Sequence, residues 1–524
     1  MPCCKAYKYK WCENLETINA PDGLEYCIFH APEECDEKKG KDNLKSYNNT
    51  VKDYINISIG EKKVCNLSGS TFPDSISFGD FNKPTSYPGL NLRDATFKKD
   101  VVISNIIFTD EVSLIGVTVG GFLSITNSLF TKKFETNGAS IKKNCIFVHM
   151  SANDLVDFRN TKINGGLWFS GSFDNDVCFQ CAVIGGDVQF IDTYFRGTVR
   201  FGNVVFKKGA NFCSINFCGV EFDSAVFSDK LVMSGCIVER CAKFISGTFR
   251  QEANFNESYF LEKVDFRDAQ FYAYSKFIGT CFWGGVDFSS AFFENYAYFS
   301  APILKTADFS GCITHRKIIL ERADVTQVPL TRVNLESFSF VSCTWPKDDR
   351  GLHIICDDAS CLDPSILEDT YRRLKRVAGN DNDMPRMSDW HYREKLRCLE
   401  QIQRRNPGFS RWRNIFTVTW WYWFSSGFGE RPARAICVLL CLLGLLLVAL
   451  AGSLLYETGI SSSPDWVKIS DVLLAWPQHA LFVNQPAYTP DSHLGKLAVL
   501  LFSKLLIPLQ AALFALALRN RFRR

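Results

Sequence analysis

Cys27-x-x-His30 near the start of the chain has the spacing of a metal-binding knuckle, and Cys12 with Cys4 offers two more donors. Together Cys4, Cys12, Cys27 and His30 make a Cys3His set, the donor chemistry of tetrahedral structural zinc. Cys3 is the neighbouring alternative to Cys4, and spacing does not choose between them. Zinc would supply folding energy that the short 1–40 segment cannot draw from a core of its own. The segment lacks a basic recognition helix, so nucleic acid is not an expected partner. At the far end, Ser503, Lys504 and Gln510 fall within about 120° of one helical face at 3.6 residues per turn. An ionisable group in an apolar span is a functional candidate. Such a face would line a pore, snorkel towards an interface or hold helices together. No phosphate loop, nucleophile elbow or HExxH pair occurs, so the chain is not expected to be an enzyme.

Most of the chain exists to position something else. Apolar residues recur at alternating gaps of five and six: Phe244, Phe249, Phe255, Phe260, Phe266, Phe271, Phe277, Phe282, Phe288, Phe293, Phe299. An earlier run, Leu92, Phe97, Ile103, Phe108, Leu114, Val119, Ile125, Phe130, keeps the same beat. Helices repeat every three to four residues and strands every two, so neither fits. A longer fixed period is the mark of a solenoid whose turns stack on one another. The beat runs over 60–345 with slips, as between Phe169 and Phe173. It explains why 45 residues are Phe, which are expected to be core rather than a ligand site. Of the 21 Cys, 11 are scattered through the repeats, and the opening residues are polar, which together suit reduced thiols in the cytosol.

Small or apolar residues stand two before many of the Phe, as at Ala253, Val264 and Ala269, and Val325, Leu330, Leu335 and Phe340 fall into strict fives. These residues resemble the pentapeptide-repeat family in its A-x-F-x-x form. The resemblance implies a right-handed quadrilateral β-helix with Phe or Leu stacked inside. Coils of about 22 residues would stack about 13 times, for roughly 60 Å at the ~4.8 Å strand spacing. Some family members mimic DNA, but the charge balance of the repeats here is close to neutral, which speaks against a polyanion mimic.

Two helices are expected over 362–406, the first capped by Asp363 with Pro364 at its first position and the second by Ser388. Their Tyr371, Arg372, Leu374, Lys375 and Tyr392, Arg393, Glu394 patterns resemble the neck of membrane-attached family members, and His391 is expected to have a packing or surface role. A basic and aromatic segment, 407–434, follows, with Trp412, Trp420, Trp421 and Trp423 as an interfacial belt. Its Phe428-Gly429-Glu430-Arg431-Pro432 resembles a Tyr-Gly-Glu-Arg-Pro turn of the family.

The 435–524 module then carries two apolar stretches, 435–456 and 497–518, each long enough to span a bilayer. Pro508 would kink the second. Between them 469–483 is apolar but too short to span, and reads as re-entrant or interfacial. Eight basic against two acidic residues over 395–434, and Arg519, Arg521, Arg523 and Arg524 at the end, put both termini on the cytosolic side of an inner membrane.

The leading expectation is a membrane-anchored scaffold whose solenoid binds a protein partner. The alternative is an oligomeric, ion-channel-like pore with the solenoid as sensor. The loop lacks a Thr-Val-Gly-Tyr-Gly filter, so carbonyl-ring selectivity for potassium is not expected.

Overall fold

The computed structural model describes residues 2–79, 85–349, 351–359, 363–405, 417–458, 466–481, 483 and 486–522. The chain divides into two units, Met1–Pro346 and Lys347–Arg524.

In the first unit the five-and-six beat becomes a parallel solenoid with four inward ladders. Phe244, Phe266, Phe288 and Phe309 stack at 4.6, 4.9 and 5.3 Å, with planes within 9° of one another. Phe249, Phe271 and Phe293 form a second ladder, Phe255, Phe277 and Phe299 a third, and Phe260 with Phe282 a fourth. One face is a separate sheet of 12 strands among the described residues, from Thr71–Phe72 to Ile313–Thr314. The solenoid therefore has about 12 turns, not 13. Its last stretch keeps steps of five but forms a short 3-10 turn, Leu335–Ser337, where that face would recur, so the 12-strand sheet is not extended.

The alternation of five and six has a local cause. Ser246, Glu257, Asp268, Gly279, Ser290 and Ala301 recur every eleven residues with φ between +48° and +66°. Each stands two after an inward Phe and lies in a five-residue step. Left-handed corners thus alternate with longer ones, and small or polar side chains tolerate them best.

The slip at Phe169 to Phe173 also has a structural origin. Leu167–Phe173 runs as one strand through a corner, as do its neighbours Cys145–Ala152 and Val188–Arg200, whereas most other turns break there. Gly171 sits there at φ +147°, where a Cβ would stand 1.7 Å from the Met150 carbonyl oxygen. Gly171→Ala is expected to cost about 2–3 kcal/mol. Gly209→Ala, where a Cβ would meet ordinary contacts, should cost well under half of that. Thermal unfolding of both variants checks the pair, and equal midpoints would refute the close approach.

In the second unit, α2 (Pro364–Asn380) and α3 (Met384–Arg405) form an antiparallel pair. Asp363 caps α2, its side chain accepting from the Ser365 N–H at 2.9 Å. The second cap is corrected: Asp383 accepts from the Arg386 N–H at 3.1 Å, and Ser388 lies one turn inside α3. The neck patterns supply the packing between the helices. Tyr371 is fully buried against Trp390 and donates to Asp358 at 2.6 Å. Arg393 pairs with Asp348 at 2.5 Å, and Glu394 is buried among Lys375, Arg372 and His391. Burial raises the Glu394 carboxyl, but hydrogen bonds from His391 and Lys375 and the charge of Lys375 outweigh it and hold the group at about 2.

α4 (Val418–Ser426) leads to α5 (Pro432–Thr458), then α6 (Trp466–Ala480), α7 (His493–Val499) and α8 (Ile507–Phe522). Two continuous helical stretches, Pro432–Glu457 and His493–Phe522, are long and apolar enough to cross a membrane. The short apolar α6 packs on the middle of α5, where Val472 meets Leu446 and Leu450, and Trp476 donates to the Leu443 carbonyl at 2.7 Å.

Candidate metal centre

α1 (Lys41–Gly60) and the residues before it cover the first turn of the solenoid. Tyr47 packs on Phe72 and donates to the Thr71 carbonyl at 3.0 Å, and Tyr54 meets Phe29 and Trp11. A solenoid end exposes unpaired backbone and apolar rungs, so a terminal cap of this kind is needed.

Inside that cap the side chains of Cys3, Cys12, Cys27 and His30 converge, with all four donor atoms within 4.8 Å of one another and all four residues buried. His30 Nδ1 lies 3.2 Å from Cys27 Sγ and 3.6 Å from Cys3 Sγ. Donors held 2.0–2.3 Å from one tetrahedral ion stand about 3.3–3.8 Å apart, so the spacing suits a metal. The tautomer is fixed as well. His30 Nε2 faces the Ser68 carbonyl at 2.9 Å, which only accepts, so Nε2 carries the hydrogen and Nδ1 presents its lone pair to the thiols. Burial lowers the His30 pKa, which keeps the ring neutral and ready to ligate. Burial pushes the thiols of Cys12 and Cys27 up, the latter to about 11, so protons must leave when a metal enters.

The surroundings hold the ligands in place. Tyr9 stacks on the His30 ring at 5.2 Å, and Trp11 packs on it at 5.3 Å while donating to the same Ser68 carbonyl. The Lys38 ammonium is buried and donates to the carbonyls of Phe29, Ala31 and Thr71 at 3.1, 2.6 and 2.8 Å. Its three donors tie the knuckle to the first solenoid turn. Burial pushes Lys38 down to about 7, opposed by the charges of Cys27 and Cys35. Neither Lys38 nor Tyr47 announced this role in the sequence, since a lysine in a charged stretch ordinarily reads as surface.

The sequence expectation of Cys12, Cys27 and His30 matches this cluster, but its fourth member is corrected. Cys3, not Cys4, joins it. Cys4 donates its backbone N–H to the Glu25 carbonyl at 2.8 Å and turns its side chain towards Tyr26, Ala31 and Cys35. The two residues open a turn in which the Ala6 N–H donates to the Cys3 carbonyl at 2.8 Å, and their side chains enter different clusters.

The second set of candidate residues does not share one face. Ser503 and Gln510 are buried within the chain, whereas Lys504 is exposed. Ser503 donates to the Val499 carbonyl, and Gln510 donates to the carbonyls of Ser425 and Ala435, both at 2.8 Å. On a helix the step from Ser503 to Lys504 is about 100°, and the neighbouring elements bury Ser503 and Gln510 but not Lys504. Leu500–Leu506 winds as a π-helix. This wider segment ends just before Pro508, whose missing N–H and bulky ring strain an ordinary helical turn. Trp420, Trp421 and Trp423 stand together on α4, Trp420 stacking on Phe424 at 5.2 Å, while Trp412 lies outside the described residues. Comparison of the chain with protein-family models, with curated proteins and with solved structures finds no match.

Proposed function

We propose that the chain is a non-enzymatic, membrane-anchored scaffold of the pentapeptide-repeat type, which presents its solenoid to a protein partner on the cytosolic side. The observation that carries this reading is an outward apolar ladder. Ile237, Tyr259, Cys281 and Ile303 are paired in register on successive turns of one face, and all but the buried Cys281 face outward. Leu261 and Trp283 stand two positions beyond Tyr259 and Cys281, and Ile237, Tyr259, Leu261, Trp283 and Ile303 are all exposed. A cluster of exposed apolar and aromatic side chains on one face is the usual mark of a docking surface.

The two apolar helices serve as the anchor, with Trp420, Trp421 and Trp423 at the interface and Arg519 and Arg521 on the cytosolic side. The centre of Cys3, Cys12, Cys27 and His30 holds zinc in a structural role, because three thiolates and one imidazole with no open position match that ion best. The engagement of Gln510 within its own chain favours the anchor over an oligomeric pore, whose lining must face an axis between subunits.

A photo-crosslinking residue at Trp283 is expected to capture a discrete partner in cells, and one at the exposed Lys162 on another face is not. Tyr259→Lys should abolish the Trp283 product without altering the thermal midpoint. The same products from both positions, or none from Trp283, would remove the binding reading.

A further inference from the structure

The Phe428–Pro432 turn frames a second site. Gly427, Phe428 and Gly429 follow one another in the left-handed region, at φ +56°, +57° and +76°. Two glycines accept this backbone readily, but Phe428 is held there against its preference. The restraint is visible: Phe428 is buried against Tyr392 and Tyr422, the Gly429 N–H donates to Ser426 Oγ at 3.0 Å, and Asn520 donates to the Gly429 carbonyl at 3.0 Å. The turn brings the start of α5 beside the end of α8 around a cavity of about 650 Å³.

Three guanidiniums line that cavity: Arg431, Arg434 and Arg521. None forms an ion pair among the described residues. Arg431 lies over the Tyr392 ring at 4.9 Å, and Arg434 lies over Trp423 at 5.1 Å and donates to its carbonyl at 3.1 Å. Stacking occupies guanidinium faces and fixes their planes, while N–H edges remain for a ligand. The two acids of the cavity wall have other donors: Asp389 meets His353 at 2.8 Å, and Glu430 accepts from Ser388.

We infer that this cavity binds the phosphate of a net-anionic phospholipid headgroup. Planar forks match phosphate oxygens in pairs, and an arginine cluster at the cytosolic ends of two spans sits at headgroup depth. The inference rests on the membrane-anchor reading, because that reading places the start of α5 and the end of α8 at one interface.

Full-length protein in neutral detergent, titrated with short-chain phosphatidylglycerol, is expected to bind it about tenfold more tightly than the matching phosphatidylcholine. Arg434→Gln combined with Arg521→Gln should lose that preference, and Arg519→Gln, which does not line the cavity, should keep it. If the double variant fails to fold, Arg521→Gln alone is expected to lose at least half of the preference. Equal binding of the two lipids, or a preference that survives in the variants, would overturn the site. Glycerol 3-phosphate serves as the soluble arm, and competition by it at the lipid's own concentration would overturn the lipid assignment. Flotation with pure phosphatidylcholine vesicles reads the anchor separately. A protein that floats yet shows no anionic preference keeps its anchor and loses this site.

Discussion

Full-length protein purified without chelator is expected to carry one zinc ion per chain, and Cys27→Ser to carry none. Cys27 is fully buried and is the thiol nearest to His30 Nδ1, at 3.2 Å. A serine hydroxyl there is a poor zinc ligand and leaves a buried polar group among the remaining donors. The consequence reaches beyond the metal. The knuckle, α1 and the first solenoid turn are joined through the Ser68 and Thr71 carbonyls, which accept from His30, Trp11, Lys38 and Tyr47. Loss of the ion should therefore loosen the whole cap. Binding energies of structural zinc in small domains are on the order of 10 kcal/mol, so the cap is expected to open before the rest of the solenoid. Hydrogen exchange should show residues 1–72 losing protection in Cys27→Ser while residues 244–300 keep it. Acidification acts in the same direction, since protons compete for the three thiolates and the imidazole. Two further variants assign the fourth ligand: Cys3→Ser should lose the metal and Cys4→Ser should retain it. The reverse pattern would return the site to Cys4, and full zinc in Cys27→Ser would end the metal assignment.

What the sequence reveals and what it hides divide along physical lines. The Phe beat is a direct image of the ladders, because every inward position repeats once per coil face and the interior admits only apolar side chains. The slip at Phe169 is legible only as an interruption, since the continuous strand and the close approach at Gly171 depend on a neighbouring turn 21 residues away. Cys3 and Cys4 differ by one position, and which of them points inward is set by the backbone pairing of Cys4 with Glu25. A helical wheel places Ser503, Lys504 and Gln510 within one broad arc, but it does not show where the neighbouring helices stop, and they cover Ser503 and Gln510 while leaving Lys504 exposed. The arginine cavity was hidden for a different reason. Arg434 and Arg521 are 87 positions apart, and only the packing of α5 against α8 brings them together. Local spacing reports elements well, whereas sites assembled from distant elements need the fold.

The largest loss from one side chain in the solenoid is expected at Phe266→Ala, about 3–5 kcal/mol. Phe266 is fully buried and touches five other rings. Phe244 and Phe288 stack on its two faces at 4.6 and 4.9 Å, and Phe255, Phe271 and Phe277 meet it at 5.4, 5.9 and 5.9 Å. Truncation removes the apolar transfer term and leaves a cavity with ring-sized walls. The coil cannot shrink around it, because the Phe266 N–H donates to the Asp287 carbonyl at 2.7 Å and the Phe244 N–H to the Asp265 carbonyl at 2.7 Å. Those bonds fix the distance between turns whatever the side chain does. In a stacked array each turn is stabilised by its two neighbours, so the damage should concentrate at the turns on either side of residue 266. Native-state hydrogen exchange is the suited measurement, since it resolves local opening. Protection over 244–288 should fall by at least a hundredfold, with a small change over residues 92–130. Phe266→Leu, which refills part of the volume, should recover about half of the loss. A uniform, shallow loss along all turns would mean that the solenoid unfolds as one cooperative block rather than as coupled rungs.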